Sequence, residues 1–196
     1  MTMDIDEERL IIAAMEIAAE GSWRRSSLGD IAERAGVDVD ILVKTYRSKT
    51  GLLFALALSV DAAVSAGVDQ DLADSGIPVR ERLMEILLLR FEAMQPYKTG
   101  IVALLSSFSV DPQTAMFGMK AIAKSMRTSL IAVGVPVDGL CGMLRTQGLV
   151  AVFLETLRVW ALDDSIDLAR TMRHLDKRLG QTERLVQAMG LTELKH

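Results

Sequence analysis

Residues 27–53 read SLGDIAERAGVDVDILVKTYRSKTGLL, and the fold turns on how that stretch is broken. Apolar residues recur at helical spacing in two short blocks, residues 27–35 and 38–45, with Gly36 and Val37 between them. Glycine accepts the positive φ that a tight turn between crossing helices requires. Ala32 is small enough to let the second helix approach the first. Leu28, Ile31, Val37, Ile41 and Leu42 can point back into a shared core. Such a pair leaves the outward face of its second helix free to enter a DNA major groove, about 12 Å wide. A Ser48-Lys49 pair then opens a longer apolar segment.

Working outward, helical patterning predicts an all-α chain of about nine helices: residues 5–20, 27–35, 38–45, 48–67, 79–94, 99–108, 112–133, 137–162 and 166–189. Gly21, Pro78, Pro96, Pro112, Gly134 and Pro136 punctuate them. Ser26 or Ser27 is placed to cap the second helix and Asp38 the third. Asp163, Asp164 and Ser165 are placed to cap the ninth. The division expected is a three-helix head, residues 1–47, and a helical body, residues 48–196.

Composition agrees with helices. Half of the 196 residues are apolar, only 5% are aromatic, and there are 4 prolines. The longest uncharged run, residues 99–110, is shorter than the roughly 18–20 residues a membrane-spanning helix needs, so no transmembrane segment is expected. The acidic start, MTMDIDEERL, does not read as a signal peptide. A single cysteine, Cys141, is expected to pack as a small apolar residue in a cytoplasmic protein.

Charge complicates the DNA reading. Residues 1–54 hold seven Lys/Arg against ten Asp/Glu, a net of −3. A DNA-binding head usually carries a positive field, since phosphate contacts supply much of the affinity. The basic residues here are Arg9, Arg24, Arg25, Arg34, Lys44, Arg47 and Lys49. Asp40 reads either as a solvated charge or as an acceptor for cytosine N4.

The Ser-Leu-x-x-Ile-Ala-x-x-Ala-Gly-Val block and the Ser-Lys-x-x-Leu-Leu block resemble the TetR family of bacterial repressors over residues 5–60. The resemblance implies a double-stranded DNA operator read by the outward face of the third helix. It implies phosphate contacts from Lys49 and from Ser26 or Ser27. The candidate DNA-binding set is therefore Ser26, Ser27, Asp38, Val39, Asp40, Val43, Lys44, Thr45, Tyr46 and Lys49. Val43 and Thr45 depart from the family pattern, which commonly places aromatic residues there. Tyr46 stands where Phe is usual.

In the body, GLVAVFLETLRVWAL, residues 148–162, is apolar on nearly every side and is expected to be buried all round, with a partner covering one face. Leu168, Met172, Leu175, Leu179, Val186 and Met189 form a stripe on the ninth helix. Two such helices from each of two copies would make a four-helix bundle, the pairing the resemblance also implies. The candidate homodimer contacts are Ala151, Leu154, Leu157, Leu168, Met172, Leu175 and Leu179. Phe91, Met94, Phe108, Phe117, Met119 and Met126 group methionines with aromatics and read either as ordinary core or as the lining of a pocket for a small apolar or lipid-like ligand.

ETLRVWALDDSIDLARTMRHLDKRLGQTERL, residues 155–185, resembles the C-terminal part of the TetR-fold accessory proteins of ubiquinone biosynthesis. That likeness implies a lipid-binding dimer that assists a membrane enzyme. The end at His196 leaves little room for a terminal membrane-binding helix.

Nothing points to catalysis. His174 and His196 stand apart from any cysteine or carboxylate at metal-ligand spacing, and His174 is expected to be solvated. No phosphate-cradling glycine loop and no Gly-x-Ser-x-Gly occurs. No metal, no cofactor and no enzyme activity are expected.

Overall fold

The computed structural model describes residues 7–68, 76–108 and 110–188. Among them the regular elements are helical: α1 (Glu7–Ala19), α2 (Leu28–Ala35), α3 (Val39–Tyr46), α4 (Lys49–Gly67), α5 (Val79–Met94), a 3-10 turn (Gln95–Tyr97), α6 (Lys98–Ser107), α7 (Pro112–Ala132), α8 (Gly139–Ala161) and α9 (Ala169–Ala188). The expected all-α class is what the chain adopts. Met189, the last residue of the expected stripe on α9, lies outside the described residues, as does Ile5 at the expected start of α1.

The helices gather into two compact units. One holds residues 1–62 and 94–121, the other residues 63–93 and 122–196, so α4 and α7 contribute to both. In the first, α1 is buried on two sides through Leu10, Ile11, Ala13, Ala14, Met15, Ile17 and Ala18. The helix has no wide polar face because α2 packs on one side of it and α6 on another. Gly100 of α6 makes the second contact possible. A Cβ there would sit 2.4 Å from the Met15 carbonyl oxygen.

The second unit is organised around aromatic rings. Phe91 of α5 stacks on Phe153 of α8 at 5.2 Å between centroids, and Trp160 lies 5.9 Å from Phe91. Leu157, Leu175 and Leu179 close the seam between α8 and α9. Charged groups pin the edges. Arg178 pairs with Glu155 across that seam. Arg80 of α5 reaches Asp176 at 2.6 Å and Glu183 at 4.0 Å on α9.

Two expectations about this unit, for Cys141 and His174, need correcting. Helix α8, ahead of residues 148–162, leaves Leu140, Met143 and Leu144 69%, 53% and 51% exposed within one protomer. Its apolar residues outnumber the neighbours one unit can supply. Cys141 is exposed rather than packed, because it lies in the same turn as those residues. His174 is half-buried, with Nε2 shut away from solvent, since α9 turns that position inward beside Leu175. By length and composition α4 and α8 could each cross a membrane, a test that buried helices of globular proteins also pass.

Candidate nucleic-acid interface

Local chemistry builds the head one turn at a time. At Ser27 the side chain accepts from the Asp30 amide at 3.2 Å, while the Asp30 carboxylate accepts from the Ser27 amide at 2.6 Å. This reciprocal box satisfies two donors that a helix start leaves open. Gly36 ends α2 in the left-handed region at φ 66°, and its amide reaches back to carbonyls of Ala32 and Glu33. Asp38 then caps α3 by accepting from the Asp40 amide at 2.7 Å. Arg47 closes α3, also left-handed, at φ 53°.

These caps fix which way α3 faces. Leu42 is fully buried and anchors the helix inward. Val39 and Val43 are 43% and 45% exposed, so α3 presents apolar as well as charged side chains outward. Asp40, Lys44 and Thr45 are exposed beside them. The structure therefore brings Val39, Asp40, Val43 and Lys44 together on one outward surface.

The other expected contacts are engaged inside the protomer. Thr45 donates its hydroxyl to the Ile41 carbonyl at 3.0 Å. Tyr46 donates to Glu7 at 2.8 Å; burial, aided by the Glu7 carboxylate, pushes its phenol up to about 12. Ser26 donates to the Trp23 carbonyl at 2.8 Å. Lys49 departs most from expectation. Its ammonium turns into the head, donating to the carbonyls of Trp23, Arg24 and Ser26, and lies 5.1 Å from the Trp23 ring centre. All three of its donors are thereby directed at carbonyls. Burial lowers its pKa, and the nearby Asp111 carboxylate offsets part of that.

Lys49 thus ties the start of α4 to the turn that delivers the Ser27 cap. Lys49→Met keeps the apolar stem and deletes the ammonium, leaving three carbonyls without this donor. The expected cost is about 1–3 kcal/mol. It would be read as a lower urea midpoint with an unchanged slope. An unchanged midpoint would mean the turn holds without the ammonium.

Sequence reasoning missed the other half of this knot. Trp23 is buried, and its indole N–H donates to the Thr114 hydroxyl at 3.2 Å. Thr114 donates in turn to Asp111 at 2.7 Å. Asp111-Pro112 was legible as a helix start, but nothing local says that Thr114 meets an indole 91 positions earlier. A groove of about 570 Å³ also lies on the head, lined in part by Glu20, Asp30, Glu33, Arg25 and Arg34. Arg34 is held by Glu20 at 2.7 Å, so this carboxylate-rich groove is poorly suited to phosphate.

The apolar-ligand candidates divide between the units. Phe91 and Met126 are fully buried in the second. Met94, Phe108, Phe117 and Met119 belong to the first, where Phe117 meets Phe54 edge-on at 6.3 Å. Of the expected dimer contacts, Leu157, Leu168, Leu175 and Leu179 are buried within the protomer, Leu154 is half-buried, and Ala151 and Met172 are exposed. Among the described residues no group of three or more His, Cys, Asp or Glu could hold a metal.

Residues 10–56 match the model of the family described as bacterial regulatory proteins, tetR family. Among solved structures, the chain is similar to a TetR transcriptional regulator from Nitrosomonas europaea, with 18% identity and a TM-score of 0.69 over 91% of this chain and 98% of that one. It is similar also to a transcriptional regulator from a Rhodococcus species, with 21% identity and a TM-score of 0.56 over 94% and 97%. The TetR family repressor AlkX from a Dietzia strain gives 14% identity and a TM-score of 0.50 over 91% and 97%. No curated protein matches the chain. At these identities the solved structures establish a shared fold. The accessory-protein likeness of residues 155–185 gains no support from them.

Proposed function

We propose that this chain, whose residues 10–56 match the model of the tetR family of bacterial regulatory proteins, is a cytoplasmic, homodimeric DNA-binding transcriptional regulator controlled by a small apolar ligand. The observation that carries the reading is the outward surface of α3. Two large exposed valines and two exposed charges sit on a helix whose caps and buried Leu42 hold it in one orientation. A groove in duplex DNA is the partner such a helix fits. Residues 1–47 are the DNA-binding head and residues 48–196 the ligand-binding and dimerisation domain.

Dimerisation is supported by the apolar surface of α8 that one protomer leaves open. Leu140, Leu144 and Ala151 recur at helical spacing along one exposed stripe, with Met143 beside it and Met172 exposed on α9. Ligand binding is supported more lightly, by the partly exposed Phe54, Phe108, Phe117 and Met119 in the first unit.

The experiment is a titration of the wild-type chain against DNA upstream of its own gene, at low and moderate salt, with light scattering alongside. Binding that weakens as salt rises, by a dimer, is the expected result. Leu144→Asp should shift the protein toward monomer and weaken binding to a two-half-site DNA by at least tenfold. Absence of binding at low salt, with and without long-chain fatty acids as probe ligands, would overturn the regulator reading. A stable wild-type monomer would overturn the dimer.

A further inference from the structure

Most polar side chains expected to hold DNA are engaged within the protomer. Ser26 bonds the Trp23 carbonyl, Ser27 is locked with Asp30, and Asp38 caps α3. Thr45 bonds Ile41, Tyr46 bonds Glu7, and Lys49 is directed at three carbonyls. Among the described residues, the polar side chains of the expected set that remain unpartnered and exposed are Asp40 and Lys44. They lie one helical turn apart, on the side of α3 opposite the buried Leu42. Val39 and Val43 form a parallel row beside them.

That pattern is a set of chemical requirements on whatever meets α3. A carboxylate entering a groove lined by phosphates is costly unless something there donates to it. In the major groove thymine offers an acceptor and a methyl group, guanine offers two acceptors, and adenine offers a donor beside an acceptor. Cytosine alone offers a donor with no acceptor on the same base. An ammonium one turn further along matches the O6 and N7 acceptors of guanine, and exposed valines match thymine methyl groups. The first-turn position of Asp40 is where a reading helix touches base edges.

We infer that α3 reads a half-site built on a C·G pair beside thymines, with Asp40 accepting from cytosine N4, Lys44 donating to guanine, and Val39 and Val43 covering thymine methyls. The inference rests on the DNA-binding reading above and adds the sequence class of the operator to it. It also gives a use to a carboxylate on the outward face of α3. Asp40 weakens every site that lacks the cytosine donor, so it suppresses wrong sequences as well as selecting the right one.

The test is selection from a random duplex library by the wild type, Asp40→Ala and Asp40→Asn. Wild-type half-sites should share an invariant C·G pair, and changing it to T·A should weaken binding on the order of 10- to 100-fold. Asp40→Ala should lose preference at that pair alone. Asp40→Asn should move it toward A·T, because an amide pairs with adenine N6 and N7. The inference is overturned if Asp40→Ala selects the same sites and binds all of them more tightly, for then the carboxylate merely repels phosphate. It is overturned too if Asp40→Asn keeps the C·G pair. If the wild type enriches no sequence even at low salt, the DNA-binding reading itself has failed, a result visible before any variant is made.

Discussion

Gly100→Ala should lower stability by about 3 kcal/mol and weaken the DNA binding proposed above, although alanine is the better helix former by about 1 kcal/mol. The added Cβ would lie 2.4 Å from the Met15 carbonyl oxygen and 2.8 Å from both Met15 Cα and Cβ. Two of those atoms are backbone, so no rotamer change relieves the clash. Helices α1 and α6 must move apart, and α1 carries Leu10, Ile11 and Ala14, the floor on which the head is built. For a domain of this size the loss corresponds to a thermal midpoint roughly 6–12 °C lower. Gly148→Ala is the control. Gly148 is also helical, but its Cβ would meet nothing within 4 Å, so that variant should be neutral or slightly stabilising. A rise in the Gly100→Ala midpoint would show that α1 and α6 do not approach so closely.

The contrast between those two glycines shows what the sequence can disclose. Local chemistry was readable. Ser27, Gly36 and Asp38 each satisfy donors or carbonyls within a few positions, so capping rules and the demand for positive φ located α2 and α3. Periodicity with proline punctuation placed α5 at Val79–Met94. Long-range relations were not readable. Nothing near Gly100 distinguishes it from Gly148, because its necessity comes from a carbonyl on α1. The Ser48-Lys49 pair marked the start of α4, yet the direction of the ammonium depends on a turn some 25 positions earlier. The apolar count of α8 and α9 does not say which of their residues one protomer hides. Which leucines stay exposed depends on how the two helices rotate against each other. That rotation put Leu157, Leu175 and Leu179 inside and left Leu140, Met143 and Leu144 outside.

Asp163 carries the second large expectation. It is fully buried between α8 and α9, and its two oxygens take four bonds: from the Ser165 amide and hydroxyl at 3.2 and 2.5 Å, and from the Thr171 amide and hydroxyl at 2.8 and 2.7 Å. Thr171 lies in the first turn of α9, so the carboxylate is the cap that starts that helix after the left-handed Leu168 at φ 52°. Asp163→Ala strips an acceptor from two amides and two hydroxyls at once and should cost about 3–5 kcal/mol, or on the order of 10 °C. Asp163→Asn keeps the shape and half of the acceptors and should cost less. Burial by itself would raise the carboxyl pKa, but the Ser165 and Thr171 bonds outweigh it and hold it well below the ordinary value of 3.8. The folded state therefore binds this proton less readily than the unfolded chain does. The stabilisation is complete above the unfolded value and is withdrawn as pH falls beneath it. Thermal unfolding of wild type and Asp163→Asn at pH 7, 5, 4 and 3 should show a constant gap down to about pH 5, then a narrowing one, since only the wild type has this charge to lose. A gap that stays constant to pH 3 would mean that the neutral acid holds the start of α9 as well as the carboxylate does.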